Sequence, residues 1–333
     1  MSTSAKVTDK DYIGFLLAAQ TAFCLTEASR TDGAQDNPPA HDAYTRLLQR
    51  LPPDTEALWR EVEALVTRTG GVLVLDDSTL DKPHARHIEL VHKHWSGKHH
   101  RSVYGINLVT LLWTDGGAKL PLDCRISNAP VDGMTKNVHF RAMLDTAQGR
   151  GFTPEYVCFD SWYSGLSNLK AIRDKEWHWL TRLKSTRLVN LDQQGQCSIR
   201  DLPIPQKGAE VYLRGYGLVR VFVTLDANQE HPQFWATSDL AMTETERKRV
   251  ASEALFIEEY HRGLKQCCGV ERCQARSERA QRNHIVLALR AFVRLEQKRW
   301  ATGKSWYECK RELLRDAIRH ARQVWQTPQT TTA

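Results

Sequence analysis

Three acidic residues in this chain stand where oxygen ligands for a divalent cation are useful. Asp77 follows the apolar run Gly71-Val-Leu-Val-Leu75, within Asp76-Asp-Ser-Thr-Leu-Asp-Lys82. Asp160 closes Tyr156-Val-Cys-Phe-Asp160, just before Ser161-Trp-Tyr163. Glu258 lies in Phe256-Ile-Glu-Glu-Tyr-His-Arg-Gly-Leu-Lys265. Two carboxylates at strand ends and a third on a later basic helix are the equipment for holding a pair of Mg²⁺ ions against a phosphodiester. Each site alone has a plainer reading. Asp77-Ser78-Thr79 and Asp160-Ser161 also suit an Asx turn or a helix N-cap, and Glu258 with Arg262 also suits an i,i+4 ion pair. The order strand-Asp, strand-Asp, helix-Glu is what raises the set above its parts. At the first strand Asp76 and Asp77 compete: alternation sends them to opposite faces, and composition does not choose.

Glu258, His261, Arg262 and Lys265 are spaced i, i+3, i+4 and i+7, so they share one helical face. That face offers a carboxylate for metal and cations for flanking phosphates. Lys82 and Lys184 are further candidate DNA contacts. Trp162 or Trp235 has the shape to stack on an unpaired or flipped base, against the commoner use of Trp as a core residue. The stretch from Lys82 to Arg101 holds His84, His87, His92, His94, His99 and His100 among Arg86, Lys93 and Lys98. No familiar zinc spacing is present there, and a basic hairpin near DNA is the expectation.

These residues must be positioned by a mixed fold. A front segment, residues 1–70, reads as helical, with helices at 12–29, 42–50 and 54–68; the last lies between Pro52-Pro53 and Gly70-Gly71. Residues 31–41 read as a loop. The centre, 71–184, reads as strands at Val72 to Leu75, Tyr104 to Trp113 and Leu120 to Ser127. A helix at 137–148, a strand at Tyr156 to Phe159, a helix at 164–175 and a strand at Trp177 to Leu183 follow. This is the order of a ribonuclease H-like α/β fold: a mixed five-stranded sheet with flanking helices, its first and fourth strands side by side. That arrangement would bring Asp77 next to Asp160. Residues 185–240 read as a β-rich insertion before the helix that carries Glu258. Residues 241–325 read as that helix (243–267) and two basic helices (277–301 and 305–325), and 326–333 as a disordered tail.

The 333 residues are 41% hydrophobic and 26% charged, which describes a globular protein. The formal charge is +7, from 46 Lys+Arg against 39 Asp+Glu. From Arg262 to Lys310 twelve bases face four acids, a concentration able to neutralise phosphates or simply to solvate a helical face. No apolar run approaches the roughly 20 residues of a membrane span, and the first ten residues are polar, so a cytoplasmic protein without membrane association is expected. The eight cysteines contain no CxxC pair, which points to reduced thiols.

The chain resembles the DDE transposases of bacterial insertion sequences, in the cut-and-paste group whose ribonuclease H-like core carries a β-strand insertion. The resemblance spans about Leu73 to Arg299. It rests on Leu75-Asp-Asp-Ser-Thr-Leu-Asp-Lys82, Tyr104-Gly-Ile-Asn-Leu-Val109, Thr135-Lys-Asn-Val-His-Phe140, Phe159-Asp-Ser-Trp-Tyr163, Trp179-Leu-Thr-Arg-Leu-Lys184 and Ile257-Glu-Glu-Tyr-His-Arg-Gly-Leu-Lys265. It implies that Asp77, Asp160 and Glu258 are the catalytic and metal-binding triad, and that Lys265 is the family lysine seven residues after the glutamate. It further implies two Mg²⁺ ions, replaceable by Mn²⁺, acting on double-stranded DNA at terminal inverted repeats and target sites, with a homodimer in the synaptic complex. The sequence departs from the family at Ala251 and Ala254, where a Tyr and an Arg are common; Arg247 or Arg249 is the expected substitute for that arginine. Two alternatives stay open: a ribonuclease H-like nuclease without strand transfer, and a catalytically decayed DNA-binding copy.

Overall fold

A computed structural model describes residues 6–21, 23–31, 39–97, 100–191, 195–225 and 232–326. The expected tail from 327 onward, His99 and most of the loop at 31–41 lie outside the described residues. The chain divides into two compact units. One comprises 1–61, 80–105 and 261–333, and the other 62–79 and 106–260.

The second unit contains the three candidate carboxylates. Its sheet is built on β1 (Val72–Asp81), β3 (Arg101–Thr114), β4 (Leu120–Ser127), β5 (Tyr156–Phe159) and β6 (His178–Leu183). Val72 to Leu75 are buried throughout, as a strand covered on both faces requires. β1 pairs in parallel with β5, in the register Leu75↔Phe159, and β5 pairs in parallel with β6. β3 lies on the other side of β1 and carries β4 antiparallel to it. The first and fourth expected strands are thus neighbours. Helices α6 (Lys136–Gly149) and α7 (Leu166–Arg173) flank the sheet. α6 begins where the Thr135 hydroxyl accepts from Val138 N–H.

The β-rich segment after Lys184 does more than interrupt this core. β9 (Ala209–Leu213), β10 (Gly217–Thr224) and β11 (Gln233–Thr237) continue the same sheet, because β11 pairs antiparallel with β6. The sheet therefore runs β3-β1-β5-β6-β11-β10-β9, beyond the five strands expected. The edge of β6 would otherwise expose unpaired backbone groups. The short strands β7 (Leu188–Val189) and β8 (Cys197–Ser198) form a separate ladder.

The helix expected at 243–267 is two helices, α8 (Glu244–Ala254) and α9 (Phe256–Cys268). At Leu255 the regular ladder breaks and its N–H turns to Glu253 O. Glu258 consequently lies in the first turn of α9, where a carboxylate suits the positive end of the helix dipole.

The first unit is mainly helical, with α1 (Asp9–Ala18), α2 (Leu25–Thr31), α3 (His41–Arg50), α10 (Glu278–Thr302) and α11 (Trp306–Gln326). The helix expected at 12–29 is broken after Ala18. Lys310, buried, donates to the Leu16, Leu17 and Ala19 carbonyls at 3.2, 2.8 and 2.6 Å, satisfying the end of α1 where it stops. α10 starts at a Ser277 cap and ends at Gly303, whose φ of 68° is the left-handed conformation glycine adopts freely. The histidine-rich stretch includes β2 (His92–Ser96), a hairpin partner of β3 in the register Lys93↔Tyr104. Among the described residues no helix is long and apolar enough to cross a membrane.

Candidate active site

The parallel register of β1 with β5 pairs Leu75 with Phe159, so Asp160, one residue past Phe159, lies level with Asp76, and Asp77 is the next residue along β1. Asp77 was expected at a strand end, yet β1 continues past it to Asp81. Of Asp77 and Asp160, Asp77 is the better held. Its Oδ2 accepts from Lys136 Nζ at 2.6 Å and Asn107 Nδ2 at 2.7 Å, and its Oδ1 accepts from the Tyr163 hydroxyl at 2.7 Å. Burial alone would raise its pKa. The Lys136 charge and the three hydrogen bonds outweigh that and hold the carboxyl below the usual range. Asp76 is the opposite case. Burial pushes its carboxyl well above the usual range, and the charges of Asp77, Asp160 and Glu258 push it further. All three candidate carboxylates therefore act on one electrostatic neighbourhood, and environment separates the aspartate pair that composition left unresolved.

Asp160 is exposed, accepts from its neighbour Ser161 N–H, and has Arg182 Nη2 at 3.8 Å. Arg182 also lies over the Trp235 ring, 5.7 Å from its centroid. Glu258 is exposed on α9. Trp162, half exposed, has Lys136 Nζ 5.3 Å from its ring centroid. Lys184 is exposed and, with Trp162, Arg187 and Arg214, lines a cavity of about 700 Å³ beside the 161–166 segment.

Lys82, His261, Arg262 and Lys265 belong to the first unit. Lys82 is buried, and its ammonium binds the Glu271 carbonyl at 2.7 Å and the Cys273 carbonyl, so it fastens a loop where a DNA contact was expected. His261 is buried, Lys265 pairs with Glu271 at 2.7 Å, and Arg262 is exposed. The basic window from 262 to 310 is substantially neutralised: Arg290 pairs with Asp9 and Glu61, Arg282 with Glu278, and Arg299 with Glu296. Arg247 and Arg249 are not free substitutes for the missing family arginine. Arg247 is buried beside the Phe222 and Trp235 rings, and Arg249 is shared among Glu155, Glu246 and Glu253.

Sequence reasoning missed Asn107, Lys136, Tyr163 and Arg182 as site residues. All four lie inside the motifs quoted above, so a signal existed, but no spacing rule ties them to Asp77 or Asp160.

Among the described residues no group of three or more His, Cys, Asp or Glu stands as a ready metal cage. The donor chemistry nevertheless suits a hard divalent cation. The acids are all oxygen donors, Asp77 already carries a cation on Oδ2, and Asn107 Oδ1 is a buried acceptor with no partner in the structure.

Residues 67–294 match the family described as Transposase DDE domain. The chain belongs to the DDE transposase family. Asp77, Asp160 and Glu258 all fall inside the matched DDE region. No curated protein matches the chain. Among solved structures, the fold is similar to the piggyBac transposase in its synaptic complex with hairpin DNA. The TM-score is 0.51 at 12% identity, covering 99% of this chain and 76% of the other. The expectation of a mixed α/β transposase fold is therefore met.

Proposed function

We propose that this DDE transposase cleaves DNA at the ends of a mobile element and joins the freed strand to a target. Asp77, Asp160 and Glu258 would hold divalent metal, with Mg²⁺ the physiological ion and Mn²⁺ a substitute. The observation that carries the reading is that Asp77, within β1, and Asp160, just past the end of β5, belong to neighbouring parallel strands inside the matched family region. Bound divalent ions supply the positive charge that a phosphodiester needs when it is attacked and when its leaving oxygen departs.

The chain's own residues do the rest. Asn107 and Tyr163 fix the Asp77 carboxylate in one orientation. Asp160 and Glu258 are exposed, and the charges of both act on Asp76, the neighbour of Asp77. Arg182, beside Asp160, is placed to grip a phosphate of the strand being cut. Lys184 and Trp162 offer a charge and a stacking surface next to it. The partners are double-stranded DNA carrying the terminal inverted repeats and the target, met by two copies of the chain. An insertion sequence of a bacterium is the proposed source.

The test is incubation of purified protein with Mg²⁺ and DNA bearing the element ends. Cleaved and strand-transferred products are expected from the wild type and neither from Asp160→Ala or Glu258→Gln. Cleavage without joining would turn the reading into a nuclease; equal products from Asp160→Ala would end it. A second reading, a DNA-binding copy without turnover, is favoured by Ala251 and Ala254 together with the engagement of Arg247 and Arg249. It predicts DNA binding that Glu258→Gln leaves intact and no metal-dependent products from any version.

A further inference from the structure

We infer that Lys136 is the resident counter-cation of the active site and that it limits how readily Asp77 takes a divalent ion. The inference rests on the reading of Asp77 as a metal ligand. A carboxylate offers about four lone-pair sites. Three are taken here: Lys136 and Asn107 hold Oδ2, and Tyr163 holds one site on Oδ1. A divalent ion must therefore either displace the ammonium or bind the last Oδ1 position with a positive charge a few ångströms away. Both routes oppose binding.

The Lys136–Asp77 pair is largely sheltered, with side-chain exposures of 22% and 19%, so solvent screens this opposition only in part. The geometry also supplies a place for the displaced ammonium. Lys136 is the first residue of α6, and its Nζ is within cation–π range of the half-exposed Trp162 ring. Asn107 and Tyr163 are neutral donors that a metal-bound carboxylate keeps. Lys136 alone among the three adds a charge that competes with the metal, so its contribution is separable.

The experiment is Mn²⁺ binding to the full-length protein without DNA, read by the loss of the free-ion electron paramagnetic resonance signal. Lys136→Gln is expected to bind Mn²⁺ about tenfold more tightly than the wild type. Lys136→Arg, which keeps the charge, is expected to bind with wild-type affinity and guards against a folding artefact. Equal or weaker binding by Lys136→Gln, with a wild type that does bind, overturns this inference alone. Mn²⁺ binding that is absent from both the wild type and Lys136→Gln, or that is unaffected by Asp77→Asn, overturns the metal-ligand reading, and the role of Lys136 with it.

Discussion

Replacing Tyr163 with Phe removes one hydroxyl and little else. The ring is fully buried and stacked on Phe140 at 5.3 Å, a contact Phe keeps. What is lost is the 2.7 Å hydrogen bond to Asp77 Oδ1. A hydrogen bond to a charged group contributes about 1.5–3 kcal/mol, and the part-exposed carboxylate recovers some of that from water, so about 1.5 kcal/mol is expected at pH 7. The effect must depend on pH. Asp77 is held below the 3.8 of an ordinary aspartate, so its stabilisation is in place above that value and drains away as pH falls through the folded pKa. Urea unfolding of both proteins at pH 7 and pH 3.5, followed by tryptophan fluorescence, reads the difference directly. A Tyr163→Phe protein as stable as wild type at pH 7, or a difference that stays the same at both pH values, would refute the account of the Asp77 site.

Three further outcomes follow from the same geometry. Asp76→Asn mimics the protonated acid that burial and its acidic neighbours enforce, so DNA cleavage should stay within severalfold of wild type, whereas Asp77→Asn should lose at least about a hundredfold, the order expected for a residue central to transition-state charge. His284 is buried and neutral: its Nε2–H faces Gly269 O at 3.2 Å, leaving Nδ1 to accept from the Tyr12 hydroxyl at 2.8 Å. Burial lowers its pKa from 6.5 to about 4, so the unfolded chain takes the proton first and about 3 kcal/mol of stability is lost as pH falls from 6.5 to 4. His284→Asn should flatten that slope in a pH series of urea melts. Lys310→Met strands three carbonyls at the end of α1 and should cost about 3 kcal/mol in the same assay.

The adjacency of β1 and β5 was readable because it rests on local pattern: short buried runs, glycine turns, and the residue after each run; the continuation of the sheet through β11, β10 and β9 was not. Those signals also brought Asp77 and Asp160 onto neighbouring strands, although β1 runs on past Asp77 to Asp81. The groups that set the charge of Asp77 were not readable in the same way, since Asn107, Lys136 and Tyr163 lie 30, 59 and 86 positions from it and meet it only after folding. The basic window left two readings open for the reverse reason. Its charges were visible in composition, while the partners of Arg290, Asp9 and Glu61, lie more than two hundred residues earlier. Lys82 was misjudged likewise: a lysine in a histidine-rich stretch reads as surface, yet its ammonium is committed to two backbone carbonyls. The break at Leu255 carries no glycine or proline to announce it.

That break has a mechanical meaning. Had α8 and α9 been one rod, every one-residue slip upstream would have been handed on to Glu258 as a rotation of about 100°. The joint at Leu255 uncouples the two registers, so substitutions that twist or shorten α8 can be absorbed there while the carboxylate keeps its aim.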